Sequence, residues 1–153
     1  TVRSLSHLLT NYPNIRQIFV APPPLQIGPD IVDGLRARGV AFELTDDLRR
    51  AIPEADAVYM TRVQDEWDQK KGESALIDTS RFMFGAEELK LLKPTGIVMH
   101  PLPRRDEIAV CVDSDPRAMY WRQMRNGMWI RAALIAETFG CGKRIHEYYS
   151  QNL

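Results

Sequence analysis

At 153 residues, 44% of them apolar and 26% charged, the chain has the make-up of one ordinary globular domain with room for a buried core. Its twenty basic and twenty acidic side chains cancel to a formal charge of zero, which argues against a nucleic-acid or anionic-membrane footprint. No apolar run approaches the roughly 20 residues that span a bilayer, no signal-peptide pattern opens the chain, and a cytoplasmic protein is expected.

Val2, Leu5, Leu8, Leu9 and Tyr12 fall at helical spacing and predict a first helix over about residues 2–12. A helix that begins at the second residue, behind Thr1 rather than a methionine, is expected of a segment of a longer polypeptide, although a trimmed end would look the same. Residues 15–21 (IRQIFVA) are β-rich and are stopped by Pro22, Pro23 and Pro24, which neither a helix nor a central strand tolerates. Ile31, Val32 and Leu35 then mark an amphipathic helix closed by Gly39, and residues 40–44 (VAFEL) a second strand. A short helix over 45–50, capped by Thr45 or Asp46, leads to a third strand at 57–61 (AVYMT).

Residues 64–84 are mostly polar and read as a long mobile loop, a length that in compact domains is functional or disordered. A helix at 86–92, a fourth strand at 96–99 and a long helix at about 115–139, with Pro116 at its start, complete the pattern. The tail from Cys141 to Leu153 reads as a natural terminus. Strands alternating with helices at this spacing imply right-handed crossovers, hence an α/β, three-layer αβα, Rossmann-like domain with a mainly parallel sheet, spanning residues 1–153 as a single unit. Cys111 and Cys141 are too few for a disulfide framework, and with His7, His100 and His146 they form no zinc-like spacing.

Two constellations carry chemistry. In residues 96–107 (GIVMHPLPRRDE) an apolar run ends in a proline-stiffened polar loop, and ligands of open α/β sheets bind beyond the carboxyl ends of the strands. The loop is either a rigid connector or a binding loop that presents backbone carbonyls. Its charges suit an internal ion pair, such as Asp106 or Glu107 with Arg131 of the last helix. His100 has no nucleophile or carboxylate arranged beside it as a triad, so no general-base role is assigned. The second constellation is Thr61-Arg62-Val63-Gln64 at the end of the third strand, where alternation puts Arg62 and Gln64 on one face. An arginine grips a carboxylate with two parallel hydrogen bonds, and a glutamine beside it suits a small acidic metabolite. A surface pair of Arg62 with Glu66 is the plain alternative.

Tyr59-Met60-Thr61-Arg62-Val63-Gln64, Met99-His100-Pro101-Leu102-Pro103-Arg104 with Asp106-Glu107-Ile108, then Val112-Asp113, Pro116, Tyr120 and Asn126-Gly127-Met128 resemble the aspartate carbamoyltransferases of pyrimidine synthesis. The resemblance runs from Thr1 to about Phe139. The related ornithine enzymes carry a cysteine after the histidine of this loop, where this chain has Pro101. Arg3 stands where the family often has a histidine.

The resemblance implies the C-terminal, aspartate-binding domain of an enzyme that moves the carbamoyl group of carbamoyl phosphate to L-aspartate, with no metal or organic cofactor. Carried over, Arg62 and Gln64 bind the aspartate carboxylates, and the Pro101 and Leu102 carbonyls orient the carbamoyl amide and the attacking amine. It further implies a missing N-terminal carbamoyl-phosphate domain with its phosphate loop, a homotrimer when intact, and an inactive fragment alone. Asp65 and Trp67 fall where bacterial relatives tend to have basic residues; Lys70 and Lys71 would substitute only after a loop shift. A non-catalytic binding or assembly module, and a carbamoyltransferase for another amino acid, are the alternatives.

Overall fold

The computed structural model describes residues 1–63 and 77–152. Helix α1 (Val2–Leu9) stops short of the predicted Tyr12, because Thr10 turns both its N–H and its hydroxyl back onto the His7 carbonyl, at 3.2 and 2.7 Å. Strand β1 (Arg16–Val20) ends before the proline run, which folds as a 3-10 turn over Pro23–Leu25. Helix α2 (Pro29–Ala37) places Pro29 in its first turn, where a missing N–H costs nothing, and buries Val32 and Leu35. Gly39 closes it in the left-handed region at φ 64°, as the sequence predicts.

Strand β2 (Ala41–Thr45) lies parallel to β1, with Arg16 opposite Ala41 and Val20 opposite Thr45. Helix α3 (Leu48–Ala51) is capped by Asp47, whose carboxylate accepts the Arg50 N–H at 3.0 Å. The sequence reading put that cap at Thr45 or Asp46. Thr45 is instead the last residue of β2, and its hydroxyl accepts the Asp47 N–H at 3.1 Å, which moves the helix start downstream.

Strands β3 (Ala57–Tyr59) and β4 (Ile97–Met99) pair in parallel through Val58 opposite Val98, with helix α4 (Ala86–Leu91) between them in sequence. The α/β class with parallel strands is borne out. Within it, hydrogen bonding divides the strands into two two-stranded sheets, β1–β2 and β3–β4, among the described residues. A cleft of about 1110 Å³ lies between them, lined in part by Ile18 and Val20 of β1 and Val58 and Met60 beside it. Hydropathy patterning finds strands but does not say which backbone edges will meet.

The last long helix, α5 (Tyr120–Thr138), starts later than predicted, and Pro116 does not begin it. Val98 recruits the intervening backbone: its N–H donates to the Arg117 carbonyl and its carbonyl accepts the Met119 N–H, both at 2.8 Å. Residues 117–119 thus act as an edge to β4 before the chain can coil. The tail forms helix α6 (Gly142–Asn152).

Of the predicted loop at 64–84, residues 64–76 lie outside the described residues. Its far end is fastened: Ser80–Phe82 make a 3-10 turn, and Phe84 bridges Ile108, donating to the Glu107 carbonyl at 2.8 Å and accepting the Ala109 N–H at 2.9 Å.

The main core gathers Ile52, Val58, Phe84, Leu92, Val98, Ile108, Val112 and Tyr120 around β3 and β4. Helix α5 contributes only Tyr120 to the buried set. Its Trp121, Met124, Met128 and Ile135, at i, i+3, i+7 and i+14, form an exposed apolar stripe, and Trp129, Ile130 and Leu134 are exposed on its other sides. A helix apolar on most of its circumference is normally one that is buried. No helix among the described residues is long and apolar enough to cross a membrane.

Candidate functional site

The β3–β4 ladder delivers two segments side by side. Beyond Tyr59 opposite Met99, the Met60 N–H reaches the Met99 carbonyl at 2.9 Å, and there the strands part into Thr61-Arg62-Val63 and the loop 100–107. Both constellations singled out in the sequence therefore start from one sheet end, the position at which open α/β sheets bind ligands. Arg62 lines the cleft together with Arg105, Asp106 and Glu107. Gln64, its expected companion, lies outside the described residues, as does Glu66.

The loop is held from inside by His100, whose side chain is fully buried. Its Nδ1 accepts the Leu102 N–H at 2.8 Å, which fixes the tautomer: the proton sits on Nε2, and Nε2 donates to Glu107 Oε1 at 2.7 Å. The Glu107 carboxylate also accepts the Arg105 N–H, at 3.1 Å from each oxygen. Residues 100–107 are thereby closed into a ring by the side-chain bond between His100 and Glu107, with side-chain-to-backbone bonds to Leu102 and Arg105 inside it. Glu107 takes His100 as its partner in place of Arg131, so the ion pair foreseen for it with the last helix is replaced by a hydrogen bond from a neutral imidazole within the loop.

This ring holds Leu102 in the left-handed region, at φ 55°, followed by a cis bond to Pro103. A branched side chain at positive φ is a strained conformation that persists only where its surroundings impose it. The Pro101 and Leu102 carbonyls accept no hydrogen bond among the described residues, so both remain available as acceptors. Pro101 is exposed and Leu102 partly so.

Arg104 faces the other way and acts as a strut. Its guanidinium makes a fork onto Asp113, with the second contact at 2.6 Å, and lies 5.6 and 5.7 Å from the ring centres of Tyr120 and Trp121. The Arg104 hydrogen bonds hold the Asp113 carboxyl below its usual range. Burial and the hydrogen bond to Asp113 push the Tyr120 phenol up to about 12, so it stays a donor at any physiological pH.

Burial lowers the pKa of His100 below the ordinary imidazole value, against the opposing pull of Glu107, while the Arg104 and Arg62 cations lower it further. Protonating Nδ1 would also set two N–H groups, its own and that of Leu102, against each other. With the folded value depressed, the contribution of His100 to stability is complete above its unfolded pKa of about 6.5 and is lost as pH falls toward the folded value. We expect the His100 ring protons to titrate below pH 6.5 by NMR; a midpoint above that would mean that Glu107, not burial, governs the ring.

One residue of the site had no sequence signal. Gln123 of α5 sends its carboxamide to the end of the ladder, where Oε1 accepts the His100 N–H at 3.0 Å and Nε2 donates to the Tyr59 hydroxyl at 3.1 Å. A glutamine three residues after the buried Tyr120, on the same helix face, is the only hint that its side chain turns inward.

Residues 1–138 match the family model described as aspartate/ornithine carbamoyltransferase, Asp/Orn binding domain. The chain belongs to that family. Among similar proteins, the chloroplastic aspartate carbamoyltransferase of Oryza sativa subsp. japonica is 39% identical over 135 residues, 88% of this chain and 37% of the relative. The aspartate carbamoyltransferase catalytic subunit of Clostridium novyi (strain NT) is 40% identical over 141 residues, 92% of this chain and 45% of the relative. A crystal structure of the Trypanosoma cruzi aspartate transcarbamoylase with carbamoyl phosphate and aspartate superposes with a TM-score of 0.79 at 37% identity, over 88% of this chain and 45% of that one. The chain thus spans less than half the length of these carbamoyltransferases.

Proposed function

We propose that this chain, residues 1–153, is the aspartate-binding domain of an aspartate carbamoyltransferase acting in pyrimidine synthesis. The observation that carries the reading is the pairing, at one sheet end, of the Arg62 cation with the rigid carbonyls of Pro101 and Leu102. A guanidinium recognises a carboxylate, and two fixed carbonyls recognise N–H groups. An amino acid with a free carboxylate and an attacking amine, meeting a carbamoyl amide, needs both. Gln64 is proposed as the second carboxylate contact.

In this reading the amine of aspartate attacks the carbamoyl carbon, and phosphate leaves with the bonding pair. The domain contributes orientation and charge stabilisation, with no covalent enzyme intermediate and no metal or organic cofactor. Pro101, in the place of the cysteine of the ornithine enzymes, favours aspartate as acceptor.

Carbamoyl phosphate would be held by an N-terminal domain outside this chain, and the exposed apolar circumference of α5 supports a second body of protein packed there. The intact protein is proposed to be a homotrimer, and to be cytoplasmic. The test is a radiochemical assay of the full-length protein with labelled carbamoyl phosphate. Carbamoyl aspartate is the expected product, whereas carbamoylation of ornithine alone, or no product with either, would overturn the reading. The isolated domain should give no turnover.

A further inference from the structure

The β3–β4 ladder stops at Met60 and Met99, yet the two segments that would hold substrate diverge only after that point. Something must set their relative direction. The next fastening is not backbone to backbone: the carboxamide of Gln123 accepts the His100 N–H at 3.0 Å and donates to the Tyr59 hydroxyl at 3.1 Å. Because a backbone N–H can only donate, the acceptor oxygen of the carboxamide must face His100, which leaves its NH₂ for Tyr59.

From His100 the chain of bonds continues through Nδ1 to the Leu102 N–H at 2.8 Å, in the same peptide unit as the Pro101 carbonyl. The same imidazole carries Glu107 at 2.7 Å. Three elements, β3, β4 and α5, thus converge on one side chain, and that side chain touches neither the proposed carboxylate grip nor the proposed carbonyls. We propose that Gln123 is a positioning residue, which ties the ends of β3 and β4 to α5 and thereby sets the direction of the Pro101 and Leu102 carbonyls.

The proposal rests on the aspartate carbamoyltransferase reading and deepens it. It also gives α5 a second task. The helix that presents Trp121, Met124 and Met128 outward carries Gln123 inward, so a body seated on the outer face would hold the loop through the inner one.

In the full-length protein, Gln123→Met keeps length and helix preference while removing both hydrogen bonds. Two neutral hydrogen bonds to a site that orients the reacting amine correspond to a fall in kcat of about 10-fold or more. The KM for aspartate should change little, since Arg62 is untouched. Gln123→Glu restores an acceptor for the His100 N–H and should recover part of kcat. Tyr59→Phe, which spares the His100 bond, should lose less than Gln123→Met. If the wild-type protein makes carbamoyl aspartate and Gln123→Met keeps its kcat, or if KM alone rises, the positioning role is refuted while the enzyme reading stands. A wild-type protein that makes no carbamoyl aspartate refutes that reading, and this proposal with it. Should Gln123→Met not fold, equal kcat in Tyr59→Phe, Gln123→Glu and wild type would itself refute the role.

Discussion

Replacing Arg62 with alanine in the full-length protein should raise the aspartate KM by about 10- to 150-fold. A hydrogen bond to a charged group contributes about 1.5–3 kcal/mol, which converts to that range of affinity. The expectation depends on where Arg62 sits. It follows β3 by three residues, lines the cleft with Arg105, Asp106 and Glu107, and lies near enough to His100 to oppose its protonation. A surface arginine pairing with a solvated carboxylate would contribute 0–1 kcal/mol, less than about 5-fold. Arg62→Lys discriminates further, since a lysine keeps the charge but loses the two-pronged geometry, and should fall between the two. Steady-state kinetics over aspartate concentration decide the matter: a KM within 5-fold of wild type for Arg62→Ala would remove Arg62 from the carboxylate grip.

The sequence made the elements legible wherever one residue type dictates the backbone. The prolines at 22–24 end β1, and Gly39 closes α2 at positive φ, because in each case local sterics settle the outcome. It was less informative wherever a distant backbone group decided. Pro116 satisfies the local rule for starting a helix, yet Val98, eighteen residues earlier, claims the Arg117 carbonyl and the Met119 N–H and keeps that stretch out of the helix until Tyr120.

The candidate site divides in the same way. Arg62, Pro101 and Leu102 could be named because strand ends and proline stiffening are local signals. The partner of Glu107 could not be read, because the choice between His100 and a helix arginine is made by how the loop closes on itself. Nor could Gln123, since neutral carboxamides on helices are common and only the folded chain shows this one reaching two strand ends at once.

Phe84→Ala should be the most damaging core substitution near the site, at about 3–5 kcal/mol, the usual loss when a buried phenylalanine leaves a cavity. Phe84 is 0% exposed and packs in the cluster that includes Val98, Ile108 and Tyr120. Its backbone is also bonded on both sides to residues 107 and 109, at the exit of the loop, so the surrounding chain has little freedom to collapse into the void. The adjacent Met83, 43% exposed, provides the contrast: Met83→Ala should stay within about 0.5 kcal/mol of wild type. Native-state hydrogen exchange in the full-length protein reads the difference at the Val98 amide, which lies in β4 and reports opening of this core. The loss should also appear in function, because Glu107, whose carbonyl accepts the Phe84 N–H, is the residue that anchors His100. A loss below 1 kcal/mol with an unchanged kcat would mean that the core refills the space and that the loop is set without it, leaving Gln123 and the β3–β4 ladder to hold the carbonyls alone.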